Sequence, residues 1–112
     1  RPWNERRLTV HEIALKEFYR LGMQNTRDRT GVLILILVAE QKFQIIADEG
    51  IHRRVPPGTW ERVAEQIAER FRRREFVSGI TDAVSSVGRI LTEQFPRKHD
   101  DTDELPNDVI ER

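Results

Sequence analysis

The sequence predicts an α/β fold in which a central β-hairpin, residues 31–47, is buried under amphipathic helices. The first observation behind this is the unbroken apolar run Val32-Leu33-Ile34-Leu35-Ile36-Leu37-Val38. It is too short for a membrane span, which needs ~20 residues, and too continuous for a half-exposed strand, which would alternate. It reads as a strand buried on both faces. The second is Lys42–Ala47, where Phe43, Ile45 and Ala47 share one face and only a short turn around Glu40-Gln41 intervenes. That spacing makes the two strands an antiparallel pair. The third is the three- and four-residue recurrence of apolar positions on either side of the hairpin, the mark of helices with one buried face.

The elements follow in order. Thr9, with Glu12 three residues on, forms a capping box that opens a helix. Its apolar face is Val10, Ile13, Ala14, Phe18 and Leu21, and Gly22 suits a left-handed stop. The polar stretch Gln24–Thr30 is a loop, and the hairpin follows, with its first strand expected over Gly31–Ala39. Asp48-Glu49-Gly50 breaks the second strand, and Pro56-Pro57-Gly58-Thr59 prepares another helix. Trp60, Val63, Ala64, Ile67, Ala68 and Phe71 form its face. A last helix begins near Ser78, presents Ile80, Ala83/Val84, Val87 and Ile90/Leu91, and ends at Phe95-Pro96. Gly79 and Gly88 fall on its opposite faces, and one of them allows a close helix–sheet approach. The order is helix, strand, strand, helix, helix, tail.

A strand buried in the middle of a sheet needs neighbours along both edges, and Lys42–Ala47 supplies one. The second could come from Arg7–Val10, from another copy, or from residues upstream of Arg1; the expectation is the last. On that reading residues 1–112 are a single domain lacking an upstream helix and strands, with residues 97–112 as an acidic tail.

The formal net charge is zero, so no global field recruits nucleic acid or an acidic membrane. There is no cysteine, which removes disulfides, thiolate catalysis and cysteine–zinc sites. No signal peptide or transmembrane segment is visible, and the expected location is cytoplasmic. Charge is nonetheless uneven. Asp100, Asp101, Asp103, Glu104, Asp108 and Glu111 load the tail, whereas Arg27/Arg29, Arg53/Arg54 and Arg70/Arg72/Arg73/Arg74 form basic clusters upstream. The tail is either a solvated segment or a strap docked on one of those clusters.

Nucleophilic catalysis finds little footing. His11, His52 and His99 are scattered, and no glycine-rich phosphate loop is present. Acidic residues at strand ends are better placed. In a hairpin the end of the second strand lies beside the start of the first, which brings Asp48 and Glu49 near Arg27-Asp28-Arg29-Thr30. Carboxylates converging at such a rim suit a hard cation, Ca²⁺ or Mg²⁺, which prefers oxygen ligands. Asp48, Asp28 and Glu49 are the candidate metal ligands. The competing reading has Asp48 capping a turn before Gly50 and Asp28 paired with a neighbouring arginine. Asp101, Asp103 and Glu104 in the tail are a second acidic cluster.

The stretch Phe18, Leu21-Gly22-Met23, Thr26, Arg29-Thr30-Gly31-Val32-Leu33-Ile34 resembles the entry to the core hairpin of the TPM domain family. The likeness continues through Lys42-Phe43, Ala47-Asp48-Glu49-Gly50-Ile51, Val55-Pro56, Trp60, Phe71, Phe76, Gly79-Ile80, Gly88 and Phe95-Pro96. In the tail, Asp100-Asp101-Thr102-Asp103-Glu104-Leu105-Pro106 is similar to the pattern of short bacterial stand-alone members. Thr30 and Asp103 stand where the family usually has Asn, and Arg73-Arg74-Glu75-Phe76 fills a loop that usually carries Gly. The resemblance implies a mixed β-sheet sandwiched by helices, with an upstream helix and strands. It also implies divalent-cation binding and a role as an interaction or assembly module, with a protein partner or a membrane complex. The alternative it implies is a metal-dependent acid phosphatase acting on phosphomonoesters, with Asp48 as principal ligand.

Overall fold

The chain folds into helix α1 (Val10–Arg20), strands β1 (Val32–Leu37) and β2 (Lys42–Ala47), a short helix α2 (Glu49–His52), and helices α3 (Thr59–Arg72) and α4 (Phe76–Gln94). A computed structural model describes residues 8–96. Each boundary has a local cause. The capping box forms as the sequence predicts: the Glu12 N–H donates to Thr9 Oγ1 (3.1 Å) and the Thr9 N–H to Glu12 Oε1 (3.0 Å). Two of the first turn's backbone donors are thus satisfied locally. Gly22 ends α1 in the left-handed region, φ 71°.

β1 and β2 pair antiparallel, with Leu33 opposite Ile46, Ile34 opposite Ile45 and Ile36 opposite Phe43. Residues alternate between faces along each strand, so the register sorts the side chains into two layers. Leu33, Leu35 and Ile46 face α1 and pack with Ala14 and Phe18. Ile34, Phe43 and Ile45 face the other way and pack on Val63, Ile67, Trp60 and Phe71 of α3. α4 rests chiefly on α3, through Ala83 and Ile90. The layers run α1, hairpin, α3, α4.

Several expectations need correction. β1 covers Val32–Leu37, shorter than Gly31–Ala39, because residues 38–41 turn the chain, with Gln41 at φ 54°. Helices cover both faces of β1, yet all six of its residues are half-buried rather than fully buried. The reason lies at its second edge. Among the described residues the sheet has two strands, both antiparallel, and nothing pairs with the far side of β1. Residues 8–10 are not that neighbour, since Thr9 caps α1 and Val10 is already helical. The α4 helix covers α3 more than the hairpin, and it begins at Phe76 rather than Ser78. Its glycines divide as the spacing implies. A methyl at Gly79 would come within 2.7 Å of the Phe71 ring, so the close approach is helix to helix; Gly88 faces open space.

Candidate functional site

Where β2 ends, the chain turns directly into α2 and meets the loop that leads into β1. The Asp48 N–H donates to the Gly31 carbonyl (2.9 Å), tying the two strand ends together. The loop itself is organised by buried Thr26: its hydroxyl accepts from the Thr30 N–H (2.9 Å), and its carbonyl from the Arg29 N–H (3.2 Å). These bonds hold Arg29 at φ 57°, a left-handed conformation that costs a non-glycine residue energy. The turn aims the Arg29 guanidinium back at the strand end.

Asp48 is the centre of the rim. It is 7% exposed, and its carboxylate accepts from Arg29 Nε (2.7 Å) and Nη2 (2.9 Å), a two-pronged pair. Its Oδ1 also accepts from the Glu49 N–H (2.8 Å), which makes Asp48 the N-cap of α2. The hydrogen bond to Asp48 is the main reason that the Arg29 pKa is raised. One carboxylate therefore joins loop, strand and helix.

The three predicted ligands meet this rim differently. Asp48 does come beside Arg27–Thr30, as hairpin geometry requires. Glu49 lies at the margin, exposed, 4.0 Å from Arg29 Nη1, and Asp28 is half-exposed and paired with Arg27 at 3.4 Å. A cation at Asp48 would have to displace a guanidinium already bonded to both carboxylate oxygens. The residues as arranged thus fit a salt-bridged clamp and not a cation rim, and among the described residues no group of three carboxylates or histidines gathers. The tail cluster Asp101, Asp103 and Glu104 lies outside the described residues.

Gly50 completes the rim. A side chain there would collide with the backbone carbonyl of Asp28 and come within 2.5 Å of that of Arg29. Above this contact opens a cleft of about 430 Å³ lined by Arg27, Asp28, Arg29, Arg53, Arg54 and Phe95. Sequence reasoning had the arginines as separate clusters and missed the assembly. Its competing reading had Asp48 capping a turn before Gly50, but that turn was not extended to a helix, although Asp48 followed by Glu in a first turn is also a helix-start signal.

A hairpin clasped between helices, with its two strand ends locked by an arginine–aspartate pair, defines a small α/β domain. The TPM domain model matches residues 5–90, and the chain belongs to that family. Its fold is similar to the NMR structure of the BA42 protein from the psychrophilic bacterium Bizionia argentinensis, with a TM-score of 0.83 at 35% identity. That match covers 92% of this chain and 71% of BA42. No curated protein matches the chain. No described helix is long and apolar enough to cross a membrane.

Proposed function

We propose that this TPM domain acts as an interaction or assembly module. The observation that carries the reading is a second apolar stripe on α4. Gly79, Ala83, Ser86 and Ile90 turn toward α3, but Val77, Ile80, Val84, Val87 and Leu91 recur at three- and four-residue spacing about a third of a turn away. Val77 is 79% exposed and Val84 48%, while Ile80, Val87 and Leu91 are half-buried. A solvent-facing helix side is ordinarily polar, so an apolar stripe of this length is suited to packing against protein. Relatives that assist assembly or repair of membrane complexes, as the family resemblance implies, support the same role.

The alternative is a metal-dependent phosphatase with Asp48 as principal ligand, for which the metal would supply Lewis-acid activation of a bound water. The bidentate bond from Arg29 weighs against it, because it occupies the carboxylate that the chemistry requires. The deciding experiment compares hydrolysis of p-nitrophenyl phosphate, with added Mg²⁺ or Ca²⁺, by the wild type and Asp48→Asn. The module reading expects no metal-dependent hydrolysis that Asp48→Asn removes. Hydrolysis by the wild type that disappears in a folded Asp48→Asn variant would replace it with the phosphatase. Following amide NMR signals in the same titrations locates any cation: shifts at residues 28–31 and 47–51 would mean that Arg29 has been displaced, and shifts confined to 100–104 would assign the cation to the tail.

A further inference from the structure

We propose that the arginine cleft is a carboxylate-binding site and that its occupant is the acidic C-terminal tail of the same chain. The cleft collects Arg27, Arg29, Arg53 and Arg54 at one mouth. Arg29 is committed to Asp48 and Glu49, and Arg27 shares Asp28. Arg53 and Arg54 have no carboxylate partner among the described residues. Arg53 Nε donates to the Glu49 carbonyl at 3.3 Å, and the Arg54 guanidinium lies 4.6 Å above the Phe95 ring. Both remain exposed, with further N–H donors suited to forked recognition of carboxylate.

Phe95 forms the cleft wall, and the tail leaves from it. Asp100 lies five residue steps beyond Phe95, a reach of up to about 17 Å, so the run Asp100, Asp101, Asp103, Glu104 can fold back over Arg53 and Arg54. The other strong basic cluster is excluded on two grounds. Arg70, Arg72 and Arg73 are already paired with Glu69, Glu75 and Asp82. They also sit at the opposite end of α4, about 28 Å away by the rise of its 19 residues. Arg53 and Arg54 thus offer the tail an arginine pair with no carboxylate partner among the described residues, beside the residue from which it departs.

The test uses the full chain and a variant with a neutral tail, Asp100→Asn/Asp101→Asn/Asp103→Asn/Glu104→Gln. In the wild type, backbone and arginine Nε–H signals of residues 27–29 and 50–54 should differ from those of the variant. About 0.5 M NaCl, where the screening length is under ~5 Å, should erase the difference. A synthetic peptide of residues 97–112 should bind the neutral-tail variant at least about ten-fold more tightly than the wild type, whose own tail competes at millimolar effective concentration. Arg53→Gln/Arg54→Gln in the neutral-tail background should abolish that binding. Equal peptide affinity for the two chains, no binding to either, or shifts confined to residues 69–75 would overturn the proposal. Since the chain lacks cysteine, a spin label at Asn107→Cys gives a further check. Broadening that passes to unlabelled copies in a mixture would mean that the tail docks on a second molecule, which also overturns it.

Discussion

Replacing Gly50 by alanine sets two effects of similar size against each other. Gly50 lies inside α2 with a negative φ, so helix propensity alone would make Gly50→Ala stabilising by about 1 kcal/mol. The structure predicts the opposite sign. The added methyl would overlap the Asp28 carbonyl and press on that of Arg29, and both are backbone atoms that no side-chain rotation can move aside. Overpacking of this kind typically costs about 1–3 kcal/mol. Here it also pushes on the loop that aims Arg29 at Asp48. With two backbone carbonyls in the way, the cost falls at about 2–3 kcal/mol, which leaves a net loss of about 1–2 kcal/mol, or roughly 4 °C in Tm per kcal/mol, read from urea or thermal unfolding. Gly88→Ala is the internal control. It makes the same chemical change in the exposed interior of α4, where nothing lies within 4 Å of the new methyl, and should stabilise by about 0.5–1 kcal/mol. A Gly50→Ala protein as stable as wild type, or two variants that move in the same direction, would refute the close packing of α2 on the loop.

Other expectations are simpler. Ile67, 2% exposed at the centre of the α3 layer, should lose about 2–5 kcal/mol on truncation to Ala, while half-buried Leu35 should lose about 1–2 kcal/mol; the reverse order in urea unfolding would disprove the layer assignment. Asp48→Asn keeps a side-chain oxygen for the Glu49 N–H and should be more stable than Asp48→Ala by about 1 kcal/mol, the worth of an N-cap; equal unfolding midpoints would deny the cap. Because the folded-state pKa of Arg29 is raised, the stability that it adds is complete below the ordinary arginine value and is lost only as pH climbs through the higher folded value. The difference in unfolding midpoint between wild type and Asp48→Asn should therefore stay flat from about pH 7 to 10, and a decline in that window would contradict the pair. Thr9→Ala should fray α1 at a cost of about 1 kcal/mol, visible as faster exchange of the Glu12 amide.

The hairpin and the three long helices could be read from the sequence because each depends on local signals: an apolar run, a short turn, a capping box and three- and four-residue recurrence. The register could not, because the turn takes residues 38–41 and sets Leu37, not Ala39, opposite Lys42. The juxtaposition of Asp48 with the Arg27–Thr30 loop could also be read, since any hairpin brings those ends together. What could not be read was who bonds to whom. Arg27, Asp28 and Arg29 are adjacent in sequence, and only the left-handed turn at Arg29 decides that Arg29, rather than a cation, meets Asp48. The α2 helix is four residues long, below the length at which periodicity gives a signal. The arginine cleft unites residues 27–29, 53–54 and 95, a grouping that exists only after α2 packs on the loop and α4 returns.

The dependence of α4 on α3 gives the domain an order of dissolution. α1 and α3 each grip the hairpin directly, but α4 is held mainly through its neighbour, at the small-residue seam of Gly79 and Ala83 and the ring cluster of Phe43, Phe71 and Phe76. Opening that seam exposes little of the hairpin layer, whereas opening α3 exposes both. Native-state hydrogen exchange should then separate two cooperative units. The amides of α4 would exchange through a partial opening that leaves β1 and β2 protected, and those of α3 only when the whole domain unfolds. The helix that carries the apolar stripe is also the one that can leave first, so any partner seated on it would raise the stability of this peripheral unit before that of the core.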